Sequence, residues 1–352
     1  MEEADRSAFR DPGFVPPRCP NQSCTAHRPG ARFSYRRRGS FVRALDGERV
    51  QRFVCTVCWR TFSSQTFRLD YRLRRPDTIE PVFVALCSKT TMRKTARNLG
   101  VNREHVARRM RLLARHCRTF HRHGLGIAEA REARLGRTFQ FDELESYEEH
   151  RRLKPVTVSV LIEQRTGFVI HTDVETLPPR KPLRRREEAK LQELERVEGA
   201  RGSGSLRAVR RTVDQLERVA CREGAIRVTT DRKASYHTAL TRSLGSRLEH
   251  RRIDGRAQRG VRNPLFPINH TLARFRDLAS RLVRQTWAAA KKRTALADQL
   301  DVVVAFRNYV DGWRSEPAAR RRTSAAAELG ILSRRLTPAE FLHWSEPSLA
   351  PS

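Results

Sequence analysis

Long apolar runs are missing from this sequence of 352 residues. A membrane-spanning helix needs about 20 consecutive, mostly apolar residues, and no stretch of the chain comes near that length. We therefore expect no membrane among its partners. The first residues are acidic and polar and lack the apolar core of a secretory signal. The expected location is the cytoplasm.

Aromatic and acidic residues are also scarce. Aromatic side chains make up 7% of the chain, which gives little support for binding single-stranded nucleic acid by stacking on bases. Asp and Glu number 39 against 71 Lys and Arg, giving a formal charge of +32. An excess of this size needs a polyanion to neutralise it, and nucleic acid is the usual one. Because GC-rich coding also raises arginine content, the charge favours nucleic-acid binding without establishing it.

Four of the seven cysteines form two close pairs. Cys19 and Cys24 have four residues between them, and Cys55 and Cys58 have two. In an intracellular protein such pairs indicate a metal site rather than disulfides. Two turns that each present two thiolates can surround one zinc ion tetrahedrally. We predict a structural Zn²⁺ on these four cysteines, within a zinc ribbon over residues 18–75 that follows a flexible lead-in, 1–17.

Residues 76–125 have helical patterning and are predicted to form a helix-turn-helix DNA-binding domain. Helices are expected over 79–87, 90–100 and 101–113, with Gly100 in the turn and Asn102 as the N-cap of the third. The third helix would present Arg103, Arg108 and Arg109 to DNA. The alternative is an ordinary three-helix core with a solvated basic face.

Residues 136–310 alternate between strand-like and helical patterns, which predicts a mixed α/β domain. Two of the strands carry aspartates, Asp142 and Asp231, and an insertion at about 176–205 separates them. If these strands are neighbours, the two carboxylates meet and offer the hard oxygen ligands that Mg²⁺ prefers. Glu143 would point to the opposite face of the sheet and is expected to be structural or exposed to solvent. Residues 311–352 form a C-terminal tail.

The order of zinc ribbon, helix-turn-helix and strand-borne aspartates resembles the bacterial insertion-sequence transposases of the DDE type, particularly those with a small zinc ribbon. The resemblance covers about residues 19–335 and rests on six segments: 53–62, 95–102, 142–144, 231–236, 281–287 and 323–332. It implies a mixed-sheet RNase H-like catalytic domain that uses Mg²⁺ or Mn²⁺ to cut transposon ends and join them to target DNA. It also implies double-stranded DNA as partner, a homodimer or larger synaptic assembly, and association with the bacterial nucleoid.

The resemblance makes Asp142 and Asp231 the first two metal ligands, but the chain departs from the family at the third. The expected glutamate falls on Asn269, near the start of a helix predicted over 268–291. Three interpretations stay open: Asn269 is the third ligand, a displaced carboxylate such as Asp254 replaces it, or this copy is catalytically impaired.

Further basic residues close to this position are candidate phosphate contacts: Arg281, Arg284 and Lys291. A solvated helix face would explain them nearly as well. The predicted function is a DNA transposase that binds transposon ends, cleaves DNA strands and transfers them. The alternative is a non-catalytic DNA-binding protein, either a regulator or an inactivated transposase derivative.

Overall fold

The computed structural model describes residues 14–28, 30–44, 47–132, 134–258, 260–283, 287–312 and 323–345. The chain divides into two compact units, one formed by the residues up to Pro76 together with those from His343 onward, and one by Asp77–Leu342. The helices predicted as a separate helix-turn-helix domain lie in the same unit as the predicted catalytic domain. Parts of the predicted lead-in and tail fall outside the described residues, and the predicted domain limits stay predictions.

The first unit is built on a three-stranded antiparallel sheet. Its strands are β1 (Tyr35–Val42), β2 (Arg49–Cys55) and β3 (Thr61–Ser63), in the order β1-β2-β3. Aromatic rings fill one side: the Phe53 ring stacks on Phe62 at 5.6 Å between centroids and meets Tyr35 edge-on at 5.4 Å. This small aromatic core lies beside the four paired cysteines.

The second unit begins with α1 (Ile79–Leu86), α2 (Met92–Asn98) and α3 (Arg103–Glu129). The predicted N-cap at Asn102 is confirmed, because its side-chain oxygen accepts a hydrogen bond from the His105 backbone N–H at 2.7 Å. Gly100 adopts φ +60° in the turn before it, a conformation that glycine accepts without steric cost. The predicted end of the third helix at Leu113 is wrong: α3 continues for four more turns because buried Cys117 and Phe120 extend its apolar face.

A five-stranded mixed sheet forms the centre of the second unit. Its strands are β4 (Thr138–Tyr147), β5 (Pro155–Glu163), β6 (Val169–Thr176), β7 (Ile226–Asp231) and β8 (Leu248–Ile253). They lie in the order β6-β5-β4-β7-β8, with β5 antiparallel to both neighbours and β7 and β8 parallel to β4. Every residue of β5 is buried, including the polar Thr157, Ser159 and Glu163, because the strand lies at the centre of one half of the sheet with neighbours on both sides. The predicted mixed α/β fold of the RNase H-like type is confirmed.

Seven helices follow along the described chain. They are α4 (Arg185–Glu198), α5 (Ser205–Val219), α6 (Ala234–Leu244), α7 (Phe266–Leu278), α8 (Arg293–Ala305), α9 (Ala325–Glu328) and α10 (Pro338–His343). Helix α4 has no buried residue and lies within the predicted insertion. Helices α5 and α6 cover one face of the sheet, where the Tyr236 ring packs on Phe141 at 4.5 Å. Helix α7 covers the other face of β4, and α8 packs against β6 and α3.

The predicted long helix over 268–291 is wrong. Helix α7 ends at Leu278, whose carbonyl accepts a hydrogen bond from the Lys89 backbone N–H at 2.8 Å, and Ala279 is extended. Trp287, within the range of that predicted helix, is fully exposed. None of the helices in the described residues has the length and apolar composition to cross a membrane.

Candidate active site and metal centres

The two candidate aspartates lie side by side on neighbouring parallel strands. Strand β4 pairs with β7 through Phe139 with Val228 and Gln140 with Thr229. Continuing this register by two residues aligns Asp142 with Asp231, the last residue of β7. Neighbouring strands are about 4.8 Å apart, and side chains at matched positions of parallel strands point to the same face. Both aspartates are half-buried, and the negative charges of both raise the pKa of Tyr236, so the two carboxylates lie near the same ring.

Each aspartate is oriented by a backbone N–H that follows it in sequence. Asp142 Oδ1 accepts a hydrogen bond from the Glu143 N–H at 2.7 Å, and Asp231 Oδ1 accepts one from the Lys233 N–H at 2.9 Å.

Burial is the largest cause that raises the pKa of Tyr236, and the negative charges of Glu143, Asp142 and Asp231 raise it further. The Tyr236 phenol therefore stays protonated at neutral pH and donates its hydrogen bond.

Glu143 faces α5 and α6, on the opposite side of the sheet from Asp142, as strand alternation predicts. Its Oε1 accepts hydrogen bonds from Thr157 Oγ1 and Ser205 Oγ, both at 2.8 Å. Its Oε2 accepts from Tyr236 OH at 2.9 Å and from Lys233 Nζ. A carboxylate has about four lone-pair positions, and all four are occupied. Glu143 is therefore structural and has no lone pair left for a metal ion.

The start of α7 is attached to the same face of β4 that carries Asp142. Gln140, two residues before Asp142 on that face, accepts a hydrogen bond from the Ile268 N–H at 2.9 Å and donates one to the Pro264 carbonyl at 2.6 Å. Asn269 is the next residue of α7 and is half-buried. Gln140 thus brings the Asn269 turn to the face of the sheet on which Asp142 lies.

Asp254 follows the end of β8, next to the residue paired with Asp231. Its Oδ2 accepts a hydrogen bond from Arg232 at 3.2 Å, and its Oδ1 accepts one from the Arg256 N–H at 2.9 Å. As a replacement third ligand, Asp254 would have to give up at least one of these bonds. Asn269 carries no such competing bond to Arg232, which makes it the simpler of the two candidates.

The four paired cysteines converge on one point in the first unit. Their sulfur atoms all lie within 4.8 Å of one another, and in the described residues this is the one group of three or more His, Cys, Asp or Glu side chains that lie this close together. Cys19 Sγ is 3.6 Å from Cys58 Sγ, and Cys24 Sγ is 4.0 Å from Cys55 Sγ. Zinc–sulfur bonds of 2.3 Å in a tetrahedron place the sulfurs about 3.8 Å apart, so the cluster fits zinc.

Local hydrogen bonds favour thiolate at Cys58, whereas burial raises the pKa of Cys19 and of Cys24 in the absence of a metal ion. Burial alone would raise the pKa of Cys58, but hydrogen bonds from the Arg60 backbone and from the Asn21 side chain outweigh it and lower that pKa to about 6. The Val57 N–H also points at Cys55 Sγ, at 3.4 Å. His27 hydrogen-bonds to the Cys19 carbonyl through Nδ1 at 2.7 Å, which identifies it as a support for the Cys19 turn.

The three arginines predicted to face DNA from α3 occupy different environments. Arg103 and Arg108 are exposed. Arg109 is buried, with 8% of its surface accessible, and its Nε donates to Thr78 Oγ1 at 3.2 Å. Its prediction as a DNA contact is wrong because position 109 lies on the same helix face as buried Val106 and Leu113. Arg109 joins α3 to the segment before α1.

Substitution of Arg108 is expected to affect DNA binding, whereas substitution of neighbouring Arg109 is expected to affect stability. Arg108→Ala is expected to weaken DNA binding and to reduce the slope of log K against log salt by about one, because one phosphate contact is lost. Arg109→Ala is expected to lower the free energy of unfolding by about 2 kcal/mol, because the hydrogen bond to Thr78 and the packing of the buried arginine stem are lost. Binding titrations at several salt concentrations and urea unfolding of both variants check this. Equal effects of the two substitutions on binding would contradict the assignment.

The remaining predicted DNA contacts also differ in their surroundings. Arg281 donates to the Ala295 carbonyl at 2.5 Å and lies against Met92 Sδ and Met110 Sδ, at 2.9 and 3.3 Å. Its prediction as a phosphate contact is wrong, because the guanidinium is committed to joining the segment after α7 to α2 and α3. Lys291 is exposed and available to a phosphate. Arg284 lies outside the described residues.

The chain shows similarity to known proteins among solved structures. No family model matches the sequence, and no curated protein matches it. Among solved structures, the chain is similar to the catalytic domain of Mos1 mariner transposase, with 15% identity over 57% of this chain and 86% of that one and a TM-score of 0.25. It is also similar to a pre-cleavage Mos1 transpososome, with 14% identity over 62% of this chain and 70% of that one and a TM-score of 0.23. Scores this low carry no functional conclusion.

The sequence did not predict three residues that contact the surroundings of the aspartates: Gln140, Ser205 and Lys233. Gln140 had a usable signal, since it is a polar residue between two phenylalanines on the alternating face of Asp142. Lys233 stands two residues after Asp231, within a segment that carried the family resemblance. Ser205 gave no signal, because its contact with Glu143 bridges 62 positions of the chain.

Proposed function

We propose that this protein is a metal-dependent DNA transposase of the DDE type. The observation that carries the proposal is the register of β4 and β7, which aligns Asp142 with Asp231 on one face of an RNase H-like sheet. Two half-buried carboxylates on neighbouring strands suit a divalent cation with hard-ligand preference, Mg²⁺ or Mn²⁺. The formal charge of +32 supports double-stranded DNA as the substrate.

Different residues have different roles in the proposed reaction. Asp142 and Asp231 hold the cations, which would supply charge stabilisation at the attacking and leaving oxygens of the phosphodiester. Asn269 contributes a neutral carbonyl oxygen, a weaker ligand than the carboxylate that the family resemblance implies at this place. Exposed Arg103, Arg108 and Lys291 contact phosphates and position the duplex.

The first unit serves DNA binding through a zinc ribbon. Its four thiols suit a structural zinc ion and leave no open coordination position for a catalytic one. With α2 and α3 it would recognise the ends of a mobile element. DNA cleavage and joining at two ends calls for a homodimer or larger synaptic assembly, which we include in the proposal.

The second candidate is a DNA-binding protein without catalysis, a regulator or an inactivated derivative. Asn269 favours it, because the third position lacks a carboxylate. In that case the protein binds the same ends but neither nicks nor joins them.

Strand cleavage decides between these two functions. Purified protein with Mn²⁺ or Mg²⁺ is incubated with labelled duplexes from the two flanks of its coding sequence, beside Asp231→Ala and Asn269→Glu. We expect metal-dependent nicking and strand transfer by the wild type and none by Asp231→Ala. Binding of these duplexes without nicking by the wild type would contradict catalysis, and restored nicking in Asn269→Glu would identify an impaired copy.

A further inference from the structure

Glu143 and Lys233 form an ion pair immediately behind the two candidate aspartates. The backbone N–H of Glu143 donates to Asp142, and the backbone N–H of Lys233 donates to Asp231. The side chains of Glu143 and Lys233 then bond to each other. Each member of the pair therefore holds one aspartate through its backbone and the other member through its side chain.

The sheet itself does not extend this far between the two strands. Backbone pairing of β4 with β7 ends at Gln140 and Thr229, two residues before the aspartates. Past that point, the Glu143–Lys233 pair connects the two chain segments across the gap. A polar connection of this kind holds its geometry well when all of its members are satisfied.

Glu143 is the buried member of the pair, with 7% of its side chain exposed, and Lys233 reaches it from the surface, with 40% of its side chain exposed. Lys233 Nζ also donates to Ser205 Oγ at 2.9 Å and lies 5.3 Å from the centre of the Tyr236 ring. Lys233 therefore cannot leave Glu143 without breaking its bond to α5, which favours a single arrangement.

We propose that the Glu143–Lys233 pair sets the spacing of Asp142 and Asp231 and thereby tunes the affinity of this site for a divalent cation. The inference rests on the proposed function, because it assumes that the aspartates bind metal. Glu143 and Lys233 act as positioning residues. All lone-pair positions of Glu143 are occupied, and the Lys233 ammonium has no lone pair to offer.

Mn²⁺ titration of the full-length, DNA-free protein, followed by electron paramagnetic resonance, tests the inference. Asp142→Asn identifies the signal that belongs to the site. Lys233→Met and Glu143→Gln are expected to weaken Mn²⁺ binding about tenfold, as loss of a group that orients metal ligands commonly does. Lys154→Met is the matched control: it breaks another ion pair with one buried and one exposed member, Lys154 with Glu198 at 2.8 Å, away from the aspartates, and should leave Mn²⁺ affinity unchanged.

The outcomes separate the inference from the function on which it rests. Mn²⁺ affinities within about twofold of wild type in folded Lys233→Met and Glu143→Gln, with loss of binding in Asp142→Asn, overturn the inference and leave the proposed function intact. Wild-type protein without Asp142-dependent Mn²⁺ binding overturns the proposed function. If Lys233→Met does not fold, Glu143→Gln carries the test, because glutamine keeps the side-chain shape and one acceptor oxygen.

Discussion

Asp142→Asn is expected to reduce DNA strand cleavage by about a thousandfold or more while leaving the fold intact. The neutral amide binds a divalent cation much more weakly, and loss of several kcal/mol of charge stabilisation corresponds to a factor of this size. The fold survives because asparagine keeps the Oδ1 atom that accepts the Glu143 N–H. Gel-based cleavage rates and a thermal melt of the same preparation measure both parts of the prediction.

Asp173→Asn provides a matched control for this substitution. Asp173 is also a strand carboxylate, but it lies on the edge strand β6, where it accepts a hydrogen bond from Arg211 at 2.7 Å. We expect cleavage to continue in Asp173→Asn at close to the wild-type rate. A similar loss of cleavage in both variants would mean that the effect is general destabilisation rather than loss of a ligand at the β4–β7 site.

Removal of zinc is expected to unfold the first unit while the second stays folded. The buried core around the cysteines consists of six residues: Cys19, Cys24, Ala26, Phe53, Cys55 and Phe62. Half of them are the proposed ligands, so little apolar surface remains to stabilise the sheet without the ion. Structural zinc contributes about 10–16 kcal/mol of apparent binding free energy in small domains, which becomes folding free energy.

Hydrogen exchange before and after chelation measures this effect. Amides of β1, β2 and β3 should lose protection, and those of β4 and β5 should keep it. Cys55→Ser should abolish zinc binding, whereas Cys221→Ser, a half-buried cysteine of the second unit, should retain one zinc per chain. Unchanged protection of β2 in zinc-free protein would rule out the structural role.

Much of the fold followed from local pattern. The helical pattern of residues 234–244 coincides with the bounds of α6, and the strand-like run 225–231 is β7 within one residue. The condition set for Asp142 and Asp231, that their strands are neighbours, is met, because β4 pairs with β7 in parallel. The position of Glu143 on the opposite face followed from strand alternation alone.

The failures arise where tertiary contacts decide the outcome. Leu272, Phe275, Leu278 and Leu282 have helical spacing, yet the helix stops at Leu278 because Lys89 caps its carbonyl and Arg281 turns toward α2 and α3. Those partners are about 170 to 190 positions away in sequence, so periodicity could not reveal them. Arg109 is different. Its spacing from Val106 and Leu113 places it on the buried face of α3, although its positive charge is typical of a DNA contact.

Iron-mediated backbone cleavage tests the central claim, a divalent cation held between β4 and β7, most directly. Fe²⁺ replaces Mg²⁺ at oxygen-ligand sites and, with ascorbate and peroxide, generates radicals that cut the polypeptide within a few ångströms of the ion. We predict cuts beside Asp142 and beside Asp231 that excess Mg²⁺ suppresses and Asp142→Asn removes. Cuts at the cysteine cluster alone, or cuts elsewhere that persist in Asp142→Asn, would contradict a metal site at these aspartates.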